Sequence, residues 1–186
     1  MTLEEIRRQI DMVDSQIKPL FLQRMECAGH VAEEKAKTGG DVFVQERERE
    51  IIEKRTADVE EEIQGEYAAF LKHLMSVCRR HEYGYLEQMQ AEVVDGALAA
   101  AGFCKEKAHE KVRITCSCNA GHSDLHLYLN MAALNQIRIE KMNVVTEQEE
   151  QVIDMTLAGN VNDGNMRQFL CQIGKEADHF RILTLE

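Results

Sequence analysis

The sequence has no tryptophan, a single proline and no apolar run near the roughly 20 residues that span a bilayer. It also lacks any excess of positive charge. Formal net charge is −11, of which residues 1–95 carry −8 and the remainder −3. That balance argues against a non-specific nucleic-acid or anionic-membrane binder, which needs the opposite sign. There is no internal repeat and no low-complexity tract. The opening MTLEEIRRQID mixes acidic and basic residues in an amphipathic pattern, which is not a secretory signal. Six cysteines at 27, 78, 104, 116, 118 and 171 are scattered through a chain long enough to bury a core unaided, so they read as reduced thiols in a cytoplasmic protein. What is present is 44% hydrophobic and 30% charged residues in 186 positions, the profile of one ordinary globular domain or two small ones.

The hydropathy pattern divides the chain. In residues 1–90 apolar positions recur at helical spacing: Ile6, Ile10, Val13, Ile17, then Leu20 and Phe21. Thr2 with Glu5 forms a capping-box signature. The first helix is expected to run to about Lys37, where Gly39-Gly40 stops it. Pro19 lies inside it and predicts a kink, but the apolar stripe stays in phase on both sides. A second helix is expected from Gln45 to about Asp58. A third is expected from about Glu61 to Met89, with an extension toward Gly102. From Val112 the period changes to two, with Val112, Ile114, Cys116 and Cys118 alternating with polar residues. A helix at 124–135, strands at 138–145 and 151–158, a helix around Met166–Ile173 and a strand at 180–185 complete a β-α-β-β-α-β order, the ferredoxin-like arrangement. The expected division is therefore 1–90 helical, 91–111 a linker or helix extension, and 112–186 α+β.

Basic residues of the helical half fall at informative spacings. Arg24 and Lys35 are 11 positions apart, about 20° from one helix face and roughly 16 Å along the axis, so two long side chains could bracket a small dianion. Arg7 lies roughly 25 Å from Arg24 and about 100° round the helix. It reaches the same ligand only if a site is shared across a dimer. Arg47 and Glu48 open the second helix, and Cys78 and Glu82 face the same way on the third.

The segments IRRQIDMVDSQI, QRMECAGHVAEEKAK, VFVQERERE and FLKHLMSVCRRHE carry a resemblance across essentially all of 1–90. Together they resemble the all-helical chorismate mutases. The resemblance implies an intertwined homodimer with two sites, each completed by Arg7 of the partner. It implies chorismate as substrate, bound by Arg7, Arg24, Lys35, Arg47, Glu48, Cys78 and Glu82, with Arg24, Lys35 and Glu82 acting on the reacting atoms. Three positions depart from the family's best-known form: Val44 replaces an Asp, Cys78 a Ser and Glu82 a Gln. The implied reaction, chorismate to prephenate, is a pericyclic rearrangement. It needs positioning and electrostatic stabilisation, and no cofactor, metal or nucleophile. The arginines would clamp two carboxylates. Lys35 and a protonated Glu82 would donate to the ether oxygen, Glu48 would accept the ring hydroxyl, and Arg47 would orient Glu48.

The element order of 112–186 and the closing FRILTLE resemble an ACT domain, a small-molecule-binding module. That implies an amino-acid effector held between paired domains by the loop Asn119, Ala120, Gly121, His122, Ser123 and Asp124. The Gly-Ala-Leu and Glu-Ser-Arg-Pro stretches of phenylalanine-sensing ACT domains are largely lost, at Ser123-Asp124-Leu125 and Glu140-Lys141-Met142-Asn143. About 20 residues between the halves cannot hold the catalytic domain that separates mutase and ACT units in bifunctional dehydratases. Cys116, Cys118, His122 and His126 are legitimate zinc donors. However, both thiols share a strand face with Val112 and Ile114, which favours core cysteines, and no metal is assigned. Two rivals to the mutase reading remain, a non-catalytic sensor or scaffold and an isochorismate–pyruvate lyase. Retention of Arg7, Arg24 and Lys35 and the Arg47-Glu48 pair favour the mutase.

Overall fold

The computed structural model describes residues 1–122 and 124–186, the His122 side chain excepted. Helix α1 spans Leu3–Thr38. Its first turn is closed by the Thr2–Glu5 capping box, and Gly39 ends it in the left-handed conformation (φ 74°), donating its N–H to the Lys35 carbonyl. The helix is unbroken through Pro19. Helix α2 covers Gln45–Thr56 and α3 covers Glu61–Tyr85. α3 packs along the carboxyl-terminal part of α1, where Ala28 and Ala32 are its buried residues.

The expected continuous third helix is two helices. α3 stops at Tyr85, Leu86 adopts a non-helical conformation (φ −105°, ψ 61°), and α4 begins at Glu87 and ends at Ala100. The break has a physical compensation on each side. Leu86 is buried with Val42, Tyr83 and Cys171, and the Tyr83 carbonyl accepts from both the Leu86 N–H (3.2 Å) and the Gln90 side-chain amide (2.7 Å). α4 then packs on the second domain. Residues 91–111, expected as linker or extension, thus contribute Val94 and Leu98 to that domain's core.

Strands β1 (Lys111–Asn119), β2 (Arg138–Glu147), β3 (Glu150–Ala158) and β4 (Asp178–Leu185) form one antiparallel sheet of order β2-β3-β1-β4. With α5 (Leu125–Leu134) and α6 (Gly164–Glu176) this is the ferredoxin-like order read from the sequence. The inward face of β1, with Val112, Ile114, Cys116 and Cys118, meets Phe169, Leu170 and Ile173 of α6 in a continuous apolar core. Burial pushes the Cys116 thiol up to about 12, so it stays protonated and packs as a small apolar group. No helix among the described residues is long and apolar enough to cross a membrane.

The two domains meet along α3 and α6. Gln168, Gln172 and Glu176 lie at i, i+4 and i+8 on one face of α6. They reach the Arg80 carbonyl (2.6 Å), the Ser76 carbonyl (3.3 Å) and the Arg79 guanidinium. Gly84 makes room for this approach, since a Cβ there would stand 3.1 Å from the Gln168 amide.

Candidate functional site

A cleft of about 190 Å³ opens between α1, α2 and α3. Six of the seven residues singled out from the sequence line it: Arg24 and Lys35 from α1, Arg47 and Glu48 from α2, and Cys78 and Glu82 from α3. The helical spacings explain the convergence. Arg24 and Lys35 share a face of α1, Cys78 and Glu82 share a face of α3, and α1 packs against α3. Val44, amino-terminal to α2, also lines the cleft. Arg7 does not.

Four of these side chains are held by contacts within the helical half. The Lys35 ammonium donates to Glu82 Oε2 at 3.3 Å and to the Val42 carbonyl at 3.2 Å. Arg24 donates through Nη1 to the buried Cys78 sulfur, which also lies 3.5 Å from Met25 Sδ. Burial raises the Cys78 pKa against the opposing pull of Arg24, which keeps the sulfur a neutral thiol and leaves the guanidinium charge available to an anion. Burial likewise raises the Glu82 carboxyl above its ordinary value, even though Lys35, Arg79 and Arg24 all pull it down. Desolvation therefore wins the competition at Glu82, and the proton-bearing form extends to higher pH than for a free carboxyl.

Glu48 differs from expectation. Its orienting cation is not Arg47, which is exposed and makes no hydrogen bond or ion pair among the described residues. Arg79 takes that place. Its Nη1 donates to Glu48 Oε1, while Nε and Nη2 form a fork on Glu176 at 2.8 and 2.7 Å. The guanidinium also stacks 4.7 Å above the Phe43 ring, and Gln172 donates to Glu176 at 3.1 Å. Burial opposes the charge on Arg79, but the two carboxylates outweigh it and hold the guanidinium firmly protonated. Burial pushes the Glu176 carboxyl up, opposed by its bonds from Arg79 and Gln172. The side chains of Arg79 and Glu176 are only 5% and 3% exposed, so this is a desolvated ion pair joining the cleft to the second domain.

Sequence reading missed Arg79 and Glu176, although a signal existed. Arg79 falls in phase with the inward positions Leu71, Met75 and Glu82 of α3. Glu176 continues the buried series Met166, Phe169 and Ile173 of α6. A charge in register with an apolar stripe must find a partner.

The regulatory loop read from the sequence is split in the structure. Ala120–His122 form a short 3-10 turn, and Gly121 N–H donates to the Asn119 side chain at 2.9 Å. Asn119 lines a cavity with Glu147, Glu149, Glu150 and Asp178, whereas Asp124 lines a different one at the domain junction. Ser123 and the His122 side chain lie outside the described residues.

The helical half of the chain is similar to known proteins. Residues 6–83 match the family model for chorismate mutase type II. Over 52 residues the chain is 42% identical to a bifunctional chorismate mutase/prephenate dehydratase of Aquifex aeolicus (strain VF5). That match covers 28% of this chain and 14% of the relative, so the chain spans a small part of that protein's length. No solved structure matches the chain.

Proposed function

We propose that this protein is a cytoplasmic chorismate mutase, converting chorismate to prephenate at the α1–α2–α3 cleft, with its second domain serving as an amino-acid sensor. One observation carries the mutase reading. Six residues scattered over 59 positions, three of them cationic, converge on one cleft of the segment that matches the chorismate mutase type II model. Arg24 binds a substrate carboxylate with a forked hydrogen-bond pair. Lys35 donates to the ether oxygen as negative charge builds there, and protonated Glu82 donates from the other side. These two groups are hydrogen-bonded to each other, so substrate replaces a contact that keeps both in place. Glu48 accepts the ring hydroxyl and is positioned by Arg79.

The active unit in this reading is an intertwined homodimer. α1 has 36 residues and is about 54 Å long, and its only buried residues are Ala28 and Ala32. Ile6, Ile10, Val13, Ile17, Leu20 and Phe21 form a stripe left 37–64% exposed. A second copy of α1 and α3 is the occupant whose pattern matches that stripe. Arg7 lies on the same segment, which supports its delivery to the partner's cleft.

The test is direct. Purified protein should convert chorismate to prephenate, and Arg24→Ala should lose at least about 100-fold in kcat/KM. Absence of turnover by correctly folded protein, or near-normal turnover by Arg24→Ala, refutes the assignment.

A further inference from the structure

A second cavity is larger than the mutase cleft. It measures about 430 Å³ and lies at the domain junction, with walls from α2, α3, α5 and α6. Phe43, Ile52, Leu127 and Tyr128 supply apolar surface. Most of the charge around it is already spent: Arg79 is bound to Glu48 and Glu176, and Arg49 to Glu53. Three polar groups are not. Lys72 is half-buried, and among the described residues its ammonium has no ion-pair or hydrogen-bond partner. The half-buried Asp124 carboxylate is likewise unpartnered, capping no N–H of α5. The Tyr128 hydroxyl, on a residue only 2% exposed, makes no hydrogen bond among the described residues. Partly desolvated charges left unpaired cost stability.

We infer that this cavity is an effector site for a free α-amino acid with a large apolar side chain. Lys72 would take the α-carboxylate, Asp124 the α-ammonium, and Phe43, Ile52 and Leu127 the side chain, with the Tyr128 hydroxyl completing the polar contacts. One cation, one anion and an apolar wall are the complement of a zwitterion with an apolar group. The volume lies within the roughly 300–1,000 Å³ range of small-molecule pockets. The rest of the sensor loop suits this ligand poorly. Asn119 shares its cavity with four carboxylates, Glu147, Glu149, Glu150 and Asp178, which repel an amino-acid carboxylate. Occupancy of the junction cavity would reach the chemistry because Glu48 and Arg79 line both this cavity and the mutase cleft.

The inference rests on the sensor reading above for the existence of an effector and relocates its site. Binding is measured without chorismate, so failure of the mutase reading leaves it standing. The full chain is titrated calorimetrically with each of the twenty L-amino acids at up to millimolar concentration. At least one with a large apolar side chain should bind. Its N-acetyl and amide derivatives should not, because each removes one charge. Lys72→Met and Asp124→Asn should each weaken binding at least about tenfold, the scale of a charged hydrogen bond, while Asn119→Ala leaves it unchanged. With chorismate present, saturating ligand should shift KM or kcat at least about twofold, a coupling of modest size. The binding site is overturned if no amino acid binds, if binding ignores both junction variants, or if Asn119→Ala abolishes it; in protein that turns over chorismate, unmoved kinetics overturn the effector role.

Discussion

Replacing Arg79 by methionine keeps most of the side-chain volume and removes the charge that Glu176 and Glu48 share. Glu176 is then a buried carboxylate with one remaining donor, Gln172. Removing one partner of such a pair costs about 3–5 kcal/mol, because the other charge stays buried and uncompensated. For a chain of this length that is a fall in Tm of about 10 °C. The diagnostic step is the second substitution. Glu176→Gln alone strips Arg79 of its fork and is also destabilising. The double variant Arg79→Met, Glu176→Gln should be more stable than Arg79→Met by at least about 2 kcal/mol, since no unpaired charge remains at that position.

The pH dependence gives an independent check with a defined sign. Burial already raises the Glu176 pKa, and loss of Arg79 removes what opposes it, so the rise is larger in Arg79→Met. The folded variant then holds a proton that the unfolded chain releases above about pH 4.3. Its stability is therefore highest in acid and falls as pH rises toward the folded-state pKa. The deficit against the parent protein should shrink between pH 8 and pH 5, and the double variant should show no such recovery. Urea unfolding followed by circular dichroism at the two pH values measures all four proteins. An Arg79→Met variant within about 1 kcal/mol of the parent at pH 7, or additive single effects in the double variant, refutes the view that this pair is a desolvated, mutually compensating unit.

Two predictions concern the cleft itself. Arg7→Ala and Arg24→Ala proteins, each nearly inactive, should regain activity when exchanged into heterodimers, because one of the two sites then carries neither lesion. Heterodimers verified by mass and still inactive would show that the two arginines do not serve one site. Glu82 has a raised pKa, by burial against the pull of Lys35, so it donates a proton only below that pKa and turnover should fall as pH rises through it. Glu82→Gln donates at every pH and should flatten that limb between pH 5 and pH 9. Two equally flat profiles, or an inactive Glu82→Gln, would remove Glu82 from the ether-oxygen role.

How much was legible in the sequence depended on whether a residue's neighbours were local. Helical and strand periods report which face is buried, so α1, the four strands and the shared faces of Arg24 with Lys35 and of Cys78 with Glu82 followed from spacing, while their meeting at one cleft was implied by the family resemblance. The break at Leu86 did not, because α3 and α4 together keep an acceptable helical pattern across it. What decides the break is tertiary: Leu86 finds Val42 and Cys171, and Gln90 satisfies the freed Tyr83 carbonyl. Arg47 was given the role of Arg79 for a related reason. The family resemblance implied Arg47 as the partner of Glu48, whereas the guanidinium that reaches it comes from 31 residues away.

That missed break also explains why a second domain touches the cleft between α1, α2 and α3 at all. Had α3 continued straight through the 14 residues of α4, the sheet would begin about 20 Å further along the helix axis. The bend at Leu86 instead turns α4 against α6 and brings α6 back alongside α3. Gly84 lacks a Cβ that would crowd Gln168, and the Gln168–Gln172–Glu176 face then falls on Arg80, Ser76 and Arg79 in turn. The end of that face is a carboxylate gripping the same guanidinium that grips Glu48. A shift of α6 of about 1 Å would lengthen a charge-assisted bond from its normal range to beyond hydrogen-bonding distance. The position of Glu48 in the cleft is thereby tied, through one arginine, to the packing of the second domain.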